Sequence, residues 1–333
     1  MPDRSFRWGI LSAANIARRR FIPGVRAGRE GQVVAVAARD GDRARAFAAD
    51  LEIPRAYDTY DALLADPEID GVYIGLPNSL HAEWTIRAAV AGKHILCEKP
   101  LSRHAADAER MVTACADAGV ILMEAFMFRH HPRHARVRQL LAEGAIGEPA
   151  VARASFAFAM TPARRASGDV RVQPALDGGA FMDVGCYALN AVRYLFDAEP
   201  VEVTALQRID PALGVDTVFA GVLRFPGDHL ALIDGGFEAN SQRYEISGFG
   251  GSIVVERAFQ PETAPSLITI TCGGEQQVEE VPGVDQYGCE ADHFVQSVRA
   301  GRLLPPAENG LAQARALEAL YLSAATGQSI RLA

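Results

Sequence analysis

Two groups of residues have the types and spacing for chemistry. Glu98-Lys99-Pro100 closes the short apolar run His94-Ile95-Leu96-Cys97, so a lysine stands where a buried strand ends. In an open α/β sheet ligands lie beyond the carboxyl ends of the strands, which directs that ammonium toward bound ligand rather than bulk water. Pro100 fixes its own φ and confines Lys99 to extended geometry. The plain alternative is a solvated lysine in a strand-to-loop turn. Further along, Asp183 and Tyr187 stand four positions apart and share one face of a helical pattern made apolar by Val184, Leu189, Val192, Leu195 and Phe196. A carboxylate in such a helix protonates unless it is paired, and Lys99 is the expected partner. The competing role for Asp183 is to cap a helix that starts after Gly178-Gly179. Gly185, mid-helix, costs about 1 kcal/mol against alanine and implies that another backbone or a ligand comes close.

The surrounding elements must bring these side chains to a cleft. Apolar runs at residues 7–11, 33–38, 71–75, 94–97 and 120–124 read as buried strands, and the stretches 42–51, 79–91 and 102–118 carry helical spacing. Alternating β and α elements predict a parallel, doubly wound sheet over residues 1–127. After a helix at 134–143 the pattern changes. Residues 151–159, 201–207, 217–225, 230–237, 243–247, 252–256 and 267–272 read as strands separated by turn signals such as Phe225-Pro226-Gly227-Asp228 and Gly248-Phe249-Gly250-Gly251. A helix at 181–196 interrupts them, and helices at 290–300 and 312–324 close the chain. The expected fold class is therefore α/β: an N-terminal doubly wound Rossmann domain, then a C-terminal α+β domain at 128–333 with a large, mostly antiparallel sheet. The last helix is able to pack back on the first domain.

The turn after the first strand, Ser12-Ala13-Ala14-Asn15-Ile16-Ala17, places small residues where a dinucleotide fingerprint has glycines. Ser12, Ala14, Asn15 and Ile16 are the expected pyrophosphate contacts, although small residues also serve simply to pack a helix on a strand. At the end of the second strand Arg39 stands where the ribose is read, with Arg43 one turn on. An arginine there accommodates a 2'-phosphate, which favours NADP, with NAD as the alternative. Asp40 is either the ribose acid or a helix cap. Leu76-Pro77-Asn78 and His81 follow the third long strand at the same edge of the sheet; Asn78 or Ser79 suits a helix cap and His81 suits packing in the first turn, and a helix so capped can also point its amides at a cofactor.

Composition bounds the rest. The 333 residues exceed one ordinary core, and 49% hydrophobic with 22% charged residues is ordinary for a soluble globular chain. No segment has the unbroken apolar length of a membrane span, and the first residues lack an apolar signal core, so a cytoplasmic location is expected. Five scattered cysteines read as reduced packing residues rather than a disulfide frame. A net charge of -8 argues against a nucleic-acid surface. His130, His131 and His134 with Arg129 and Arg133 read as a basic rim, with no metal, because converging cysteines and carboxylates are missing nearby. Arg164, Arg165 and Arg171 lie in a polar loop that either covers the cleft or is solvated. Apolar residues on both alternations of 217–225 predict burial against another subunit, hence a homodimer or tetramer.

Taken in order, the N-terminal strand and turn, Pro77-Asn78 with His81, Glu98-Lys99-Pro100, Glu124-Ala125-Phe126-Met127 and Gly178-Gly179-Ala180-Phe181-Met182-Asp183 through Tyr187 resemble the glucose-fructose oxidoreductase/inositol dehydrogenase family. Phe126-Met127-Phe128-Arg129-His130-His131-Pro132 and Tyr187 are most similar to its NADP-dependent D-xylose dehydrogenase and dihydrodiol dehydrogenase branch. The glycine-poor phosphate turn departs from the family pattern. The resemblance implies an NAD(P)-dependent dehydrogenase acting on a sugar or cyclic diol hydroxyl, with Lys99, Asp183 and Tyr187 as the reacting group and the division of proton transfer between Lys99 and Tyr187 open. It also implies Glu98 and Lys99 beside the cofactor, and Arg129 near the substrate, with Arg171 as a second candidate there. A glycoside hydrolase using its nicotinamide transiently, or a non-catalytic cofactor-binding regulator, are the competing functions on the same fold.

Overall fold

The computed structural model describes residues 4–261 and 263–332. The chain divides into two compact units, one formed by the sequence up to His130 with Asp285–Leu311, the other by His131–Val284 with the residues from Ala312 onward. Among the described residues the strands form two sheets, of six and nine strands.

In the first unit β1 (Phe6–Leu11), β2 (Gly31–Ala37), β3 (Arg55–Tyr57), β4 (Gly71–Ile74), β5 (His94–Glu98) and β6 (Leu122–Ala125) align in the order β3-β2-β1-β4-β5-β6. Every pair is parallel. The strands are continuous apolar runs because both faces are covered; all four residues of β4 are buried. Helices α1 (Ile22–Ala27), α2 (Gly41–Asp50), α3 (Tyr60–Leu64), α4 (His81–Val90) and α5 (Ala105–Asp117) make the crossovers. Strand order reverses between β1 and β4, the switch point at which an open α/β sheet binds ligand. Trp8, Ile10, Phe21, Tyr73, Leu96, Met123 and Phe294 share one core. Phe294 comes from Asp285–Leu311 and packs at 5.0 Å from Trp8 and 5.9 Å from Phe6, ring centre to ring centre. These contacts account for the return of that late segment to the first unit.

The second unit opens with α6 (Pro132–Ala142) and β7 (Pro149–Ala157), followed by the short α7 (Pro162–Ala166) and by α8 (Cys186–Phe196). Then come β8 (Glu202–Ile209), β9 (Asp216–Arg224), β10 (Leu230–Gly236), β11 (Ser241–Gly248), β12 (Gly251–Glu256), β13 (Ser266–Cys272) and β14 (Glu275–Val281). Helix α9 (Gln286–Ala300) lies in the first unit, while α10 (Leu311–Thr326), from its second residue, and β15 (Ile330–Arg331) complete the second. The sheet order is β14-β13-β12-β11-β7-β10-β9-β8-β15. Among the described residues β7 and β10 run parallel and the other neighbouring strands of this sheet run antiparallel. Alternate residues of β9 and β10 are buried beneath helices, α8 among them, and the others point outward. The outward face carries Leu206, Val222 and Leu232 at 72, 47 and 43% exposure. No helix among the described residues is long and apolar enough to cross a membrane.

Candidate active site

At the switch point β1 ends at Leu11 and the chain turns at Ser12 with φ 125°. Glycine adopts that conformation freely and serine rarely does, so the backbone makes a glycine-type turn at a serine. The turn is tied on both sides: the Ser12 amide donates to the Ala37 carbonyl at 3.0 Å, and its hydroxyl donates to the Gly75 carbonyl at 2.8 Å. Ala13 and Ala14 follow, and the chain is helical from Asn15, with a π-helical turn at Ala17–Phe21 before α1. First-turn amides of a helix have no partner within it and carry the positive end of its dipole. Small side chains, a strand-to-helix turn and the switch point together make the amides around Ala14, Asn15 and Ile16 the groups here that could hold a pyrophosphate.

At the end of β2 Asp40 serves as a helix cap. Its carboxylate accepts the Arg43 amide at 3.1 Å and caps α2. Arg39 is exposed beside it, and the Arg43 guanidinium donates to the Ala13 carbonyl at 3.0 Å, joining α2 to the phosphate turn. Burial raises the Tyr60 phenol, and the positive charges of Arg39 and Arg43 nearby oppose that rise. Two guanidinium groups at this position suit a ribose that carries a phosphate.

Leu76 and Pro77 lead into a 3-10 turn at Asn78–Leu80 and then α4. His81 is wholly buried, its ring nitrogens each 3.0 Å from a carbonyl, those of Leu76 and Pro100. It therefore fastens the loop after β4 to the loop after β5, and burial lowers its pKa. The Lys99–Pro100 peptide is cis. Glu98 accepts the Tyr73 hydroxyl on one oxygen and the Lys99 amide, at 3.2 Å, on the other. Glu290 of α9 is buried in the same region, where burial first and the charge of Glu98 second raise its pKa well above the ordinary carboxylate range. Arg129 forms an ion pair with Glu308 at 2.6 Å.

The second unit presents Asp183 and Tyr187 on a helix that begins with another π turn, Phe181–Gly185, and continues as α8. Single π turns within helices are frequent at functional sites, and here one occurs in each unit, beside residues singled out above. The helix is capped by Asp216 of β9: one oxygen accepts the Phe181 amide at 2.7 Å, the other the Tyr321 hydroxyl at 3.0 Å. Asp183 lies inside the helix, its own amide donating to Gly179, and is not the cap. Gly185 faces Gly235 of β10, where an added Cβ would stand 2.6 Å from the Gly185 Cα. The close approach implied by a mid-helix glycine is thus to another backbone. Tyr187 is buried against the rings of Phe156 and Phe259, at 5.2 and 5.5 Å.

Within its own unit Asp183 is met by Arg171, whose Nε donates to Oδ2 at 2.7 Å. Nothing in the local pattern marks Arg171 as that partner; a loop twelve residues upstream has to fold back to make the pair. Arg164 and Arg165 pair with Asp169 and Glu238, both at 2.7 Å. The basic rim expected of His131, Arg133 and His134 is instead interior, all three being at most 1% exposed. Arg133 donates to the carbonyls of Arg257 and Ala258, and His134 meets the Tyr244 hydroxyl at 2.7 Å. Carbonyls left at the end of β12 need donors, and α6 supplies them.

The chain matches the family model described as an oxidoreductase family with an NAD-binding Rossmann fold over residues 6–126, and the GFO/IDH/MocA C-terminal domain over residues 134–254. It is 38% identical to a D-xylose 1-dehydrogenase (NADP(+)) of Haloferax volcanii, over 98% of this chain and 99% of that one. Among solved structures, an aldose-aldose oxidoreductase from Caulobacter crescentus complexed with glycerol has a TM-score of 0.90 at 30% identity, covering 99% of this chain and 100% of the other. A 3-ketoreductase from Actinomadura kijaniata in complex with NADP and TDP-benzene gives 0.89 at 33%, covering 96 and 98%. With both of its parts matched and this level of identity along nearly its whole length, the chain belongs to the GFO/IDH/MocA family of oxidoreductases.

Proposed function

We propose that this oxidoreductase uses NADP to interconvert a hydroxyl-bearing carbon and a carbonyl on a sugar, an aldose such as D-xylose, or on a cyclic diol. The observation that carries the reading is the pair of ionisable groups, Asp183 and Tyr187, one turn apart on a largely apolar helix of a chain whose other unit is an NAD-binding Rossmann domain. The relation to a D-xylose dehydrogenase and an aldose-aldose oxidoreductase supports the substrate class.

When bound, NADP supplies the two-electron acceptor: a carbon–hydrogen bond of the substrate yields hydride to the nicotinamide as the hydroxyl on that carbon loses its proton and becomes a carbonyl. Tyr187 takes that proton. A free phenol has a pKa of about 10, so the base form needs help from positive charge. Lys99 supplies it as an ammonium at the carboxyl end of β5, and serves as the alternative proton carrier. Asp183 accepts a hydrogen bond from a substrate hydroxyl. The turn at Ser12, Ala14, Asn15 and Ile16, the loop from Leu76 to Asn78 fastened by His81, and Glu98 hold the dinucleotide, while Arg39 with Arg43 takes the 2'-phosphate. Arg129, paired with Glu308, lines the substrate side, and Arg171 serves it through the Asp183 carboxylate that it holds.

The outward apolar face around Leu206, Val222 and Leu232 supports assembly as a dimer or tetramer, and the absence of any paired cysteine among the described residues suits a reducing cytoplasm. The test is the rise in reduced-nicotinamide absorbance when NADP is offered with a panel of aldoses and cyclic diols. Turnover with at least one of them is expected, and silence across the panel would overturn the reading. Tyr187→Phe should lose most of that turnover; wild-type rates with an unchanged pH profile would remove the tyrosine from proton transfer.

A further inference from the structure

The loop before the Gly-Gly motif is built around one guanidinium. Arg171 Nε donates to Asp183 Oδ2 at 2.7 Å and Nη1 donates to Asp169 Oδ1 at 3.2 Å. Asp169 does more than neutralise: it accepts the Arg171 amide at 3.0 Å and the Arg164 Nε at 2.7 Å, so it sits between two arginines and fixes the backbone of one. The Arg171 carbonyl in turn accepts the Gly179 amide at 2.8 Å. A Cβ on Gly178 would come within 2.6 Å of that carbonyl oxygen, so only glycine lets the two segments close. Gly179 then accepts the Asp183 amide on its own carbonyl, at 3.0 Å. Arg171 is thus anchored through its side chain, amide and carbonyl, and the group it presents to Asp183 has one geometry.

We infer that Asp169 and Arg171 form a positioning pair that aims the Asp183 carboxylate, so that Arg171 acts on the reaction through Asp183 rather than by contact with substrate. Nε–H and Nη1–H are both committed to carboxylates, and a forked guanidinium held at two corners has little freedom to follow a ligand. By holding Oδ2, Arg171 fixes the plane of the carboxylate to which the proposed function gives a substrate hydroxyl. The inference rests on the role proposed above for Asp183.

The experiment uses the full-length enzyme with NADP and whichever aldose or diol of the panel is turned over. Arg171→Met is expected to lower kcat by about 100-fold, the loss typical of a reacting group displaced by an ångström, with KM little changed. Asp169→Asn should move kcat in the same direction by less. Arg171→Lys should recover part of the rate, because an ammonium reaches one carboxylate but not two, and guanidinium ion added to Arg171→Ala should restore activity. A purely structural loop residue would show neither rescue. A raised KM at unchanged kcat would make Arg171 a substrate contact and overturn the inference, as would wild-type kinetics, or a loss of rate that neither lysine nor guanidinium ion repairs. NADP binding and the thermal midpoint, measured on each variant, identify one that has failed to fold; then Asp169→Asn and Arg171→Lys carry the test. Two further results separate the inference from the proposal beneath it. If Asp183→Asn keeps wild-type turnover, the role of Asp183 is wrong. The pair itself is read without turnover from the Arg171 Nε–H proton resonance, which should shift upfield in Asp183→Asn; no shift would refute the pairing.

Discussion

Gly185 and Gly235 meet backbone to backbone: a Cβ on Gly235 would stand 2.6 Å from the Gly185 Cα and 2.9 Å from its amide nitrogen. The helix that carries Asp183 and Tyr187 is therefore seated on β10 with no side chain between them. Gly235→Ala should push the helix off the sheet at a cost of about 1–3 kcal/mol, typical of overpacking, and should lower turnover more than it lowers NADP affinity. Urea denaturation and steady-state kinetics check both. An alanine variant as stable and as active as the parent would show that the seat is soft.

Ser12 offers a cleaner separation of strain from bonding. Ser12→Ala and Ser12→Gly both delete the hydroxyl that bonds Gly75, but only alanine must still adopt φ 125°. The glycine variant should be the more stable of the two by about 1–3 kcal/mol of relieved backbone strain, less what glycine loses in the unfolded chain. Equal stabilities by denaturant unfolding would contradict this.

Glu290 predicts a pH dependence of definite sign. Its pKa is raised well above the ordinary value by burial and then by Glu98, so the folded chain keeps a proton that the unfolded chain releases near pH 4.3, roughly the free glutamate value. Stability from this group is complete below that pH and drains away as pH rises through the folded pKa. Glu290→Gln carries its neutral amide at every pH, so the stability difference between variant and parent should shift in favour of the variant as pH rises above about 4.3. A constant difference across the range would mean that Glu290 titrates normally.

Arg39 tests the cofactor. Arg39→Ala should weaken NADP by about 10- to 100-fold, the 1.5–3 kcal/mol of a hydrogen bond to a charged group, and leave NAD almost unchanged. Titration calorimetry with each dinucleotide measures the two constants. Equal losses for both would place Arg39 away from the 2'-phosphate.

Much of the molecule was legible in its sequence for identifiable reasons. Strands such as β4 and β5 are buried on both faces and so read as unbroken apolar runs, and Asp183 and Tyr187 stood out as polar residues in an apolar helix. What escaped was what pattern does not encode. Glu275–Val281 forms β14 through mainly polar residues, so no alternation marked it as a strand. The π turns at Ala17–Phe21 and Phe181–Gly185 insert a residue without changing composition. Asp216 and Arg171 reach Phe181 and Asp183 from distant or looped segments, and long-range partners leave no local trace. His131, Arg133 and His134 looked like surface because charge usually is; here strand-end carbonyls draw them inside.

The nine-stranded sheet ends on one side in β14, mostly exposed and bearing Glu275, Glu279 and Glu280, and on the other in β15, only two residues long. Charged or very short border strands resist pairing with the border of another molecule. A sheet bounded in this way has a rim guarded against the open-ended stacking that produces fibres, so the dimer or tetramer proposed above would have to form through the face that carries Leu206, Val222 and Leu232.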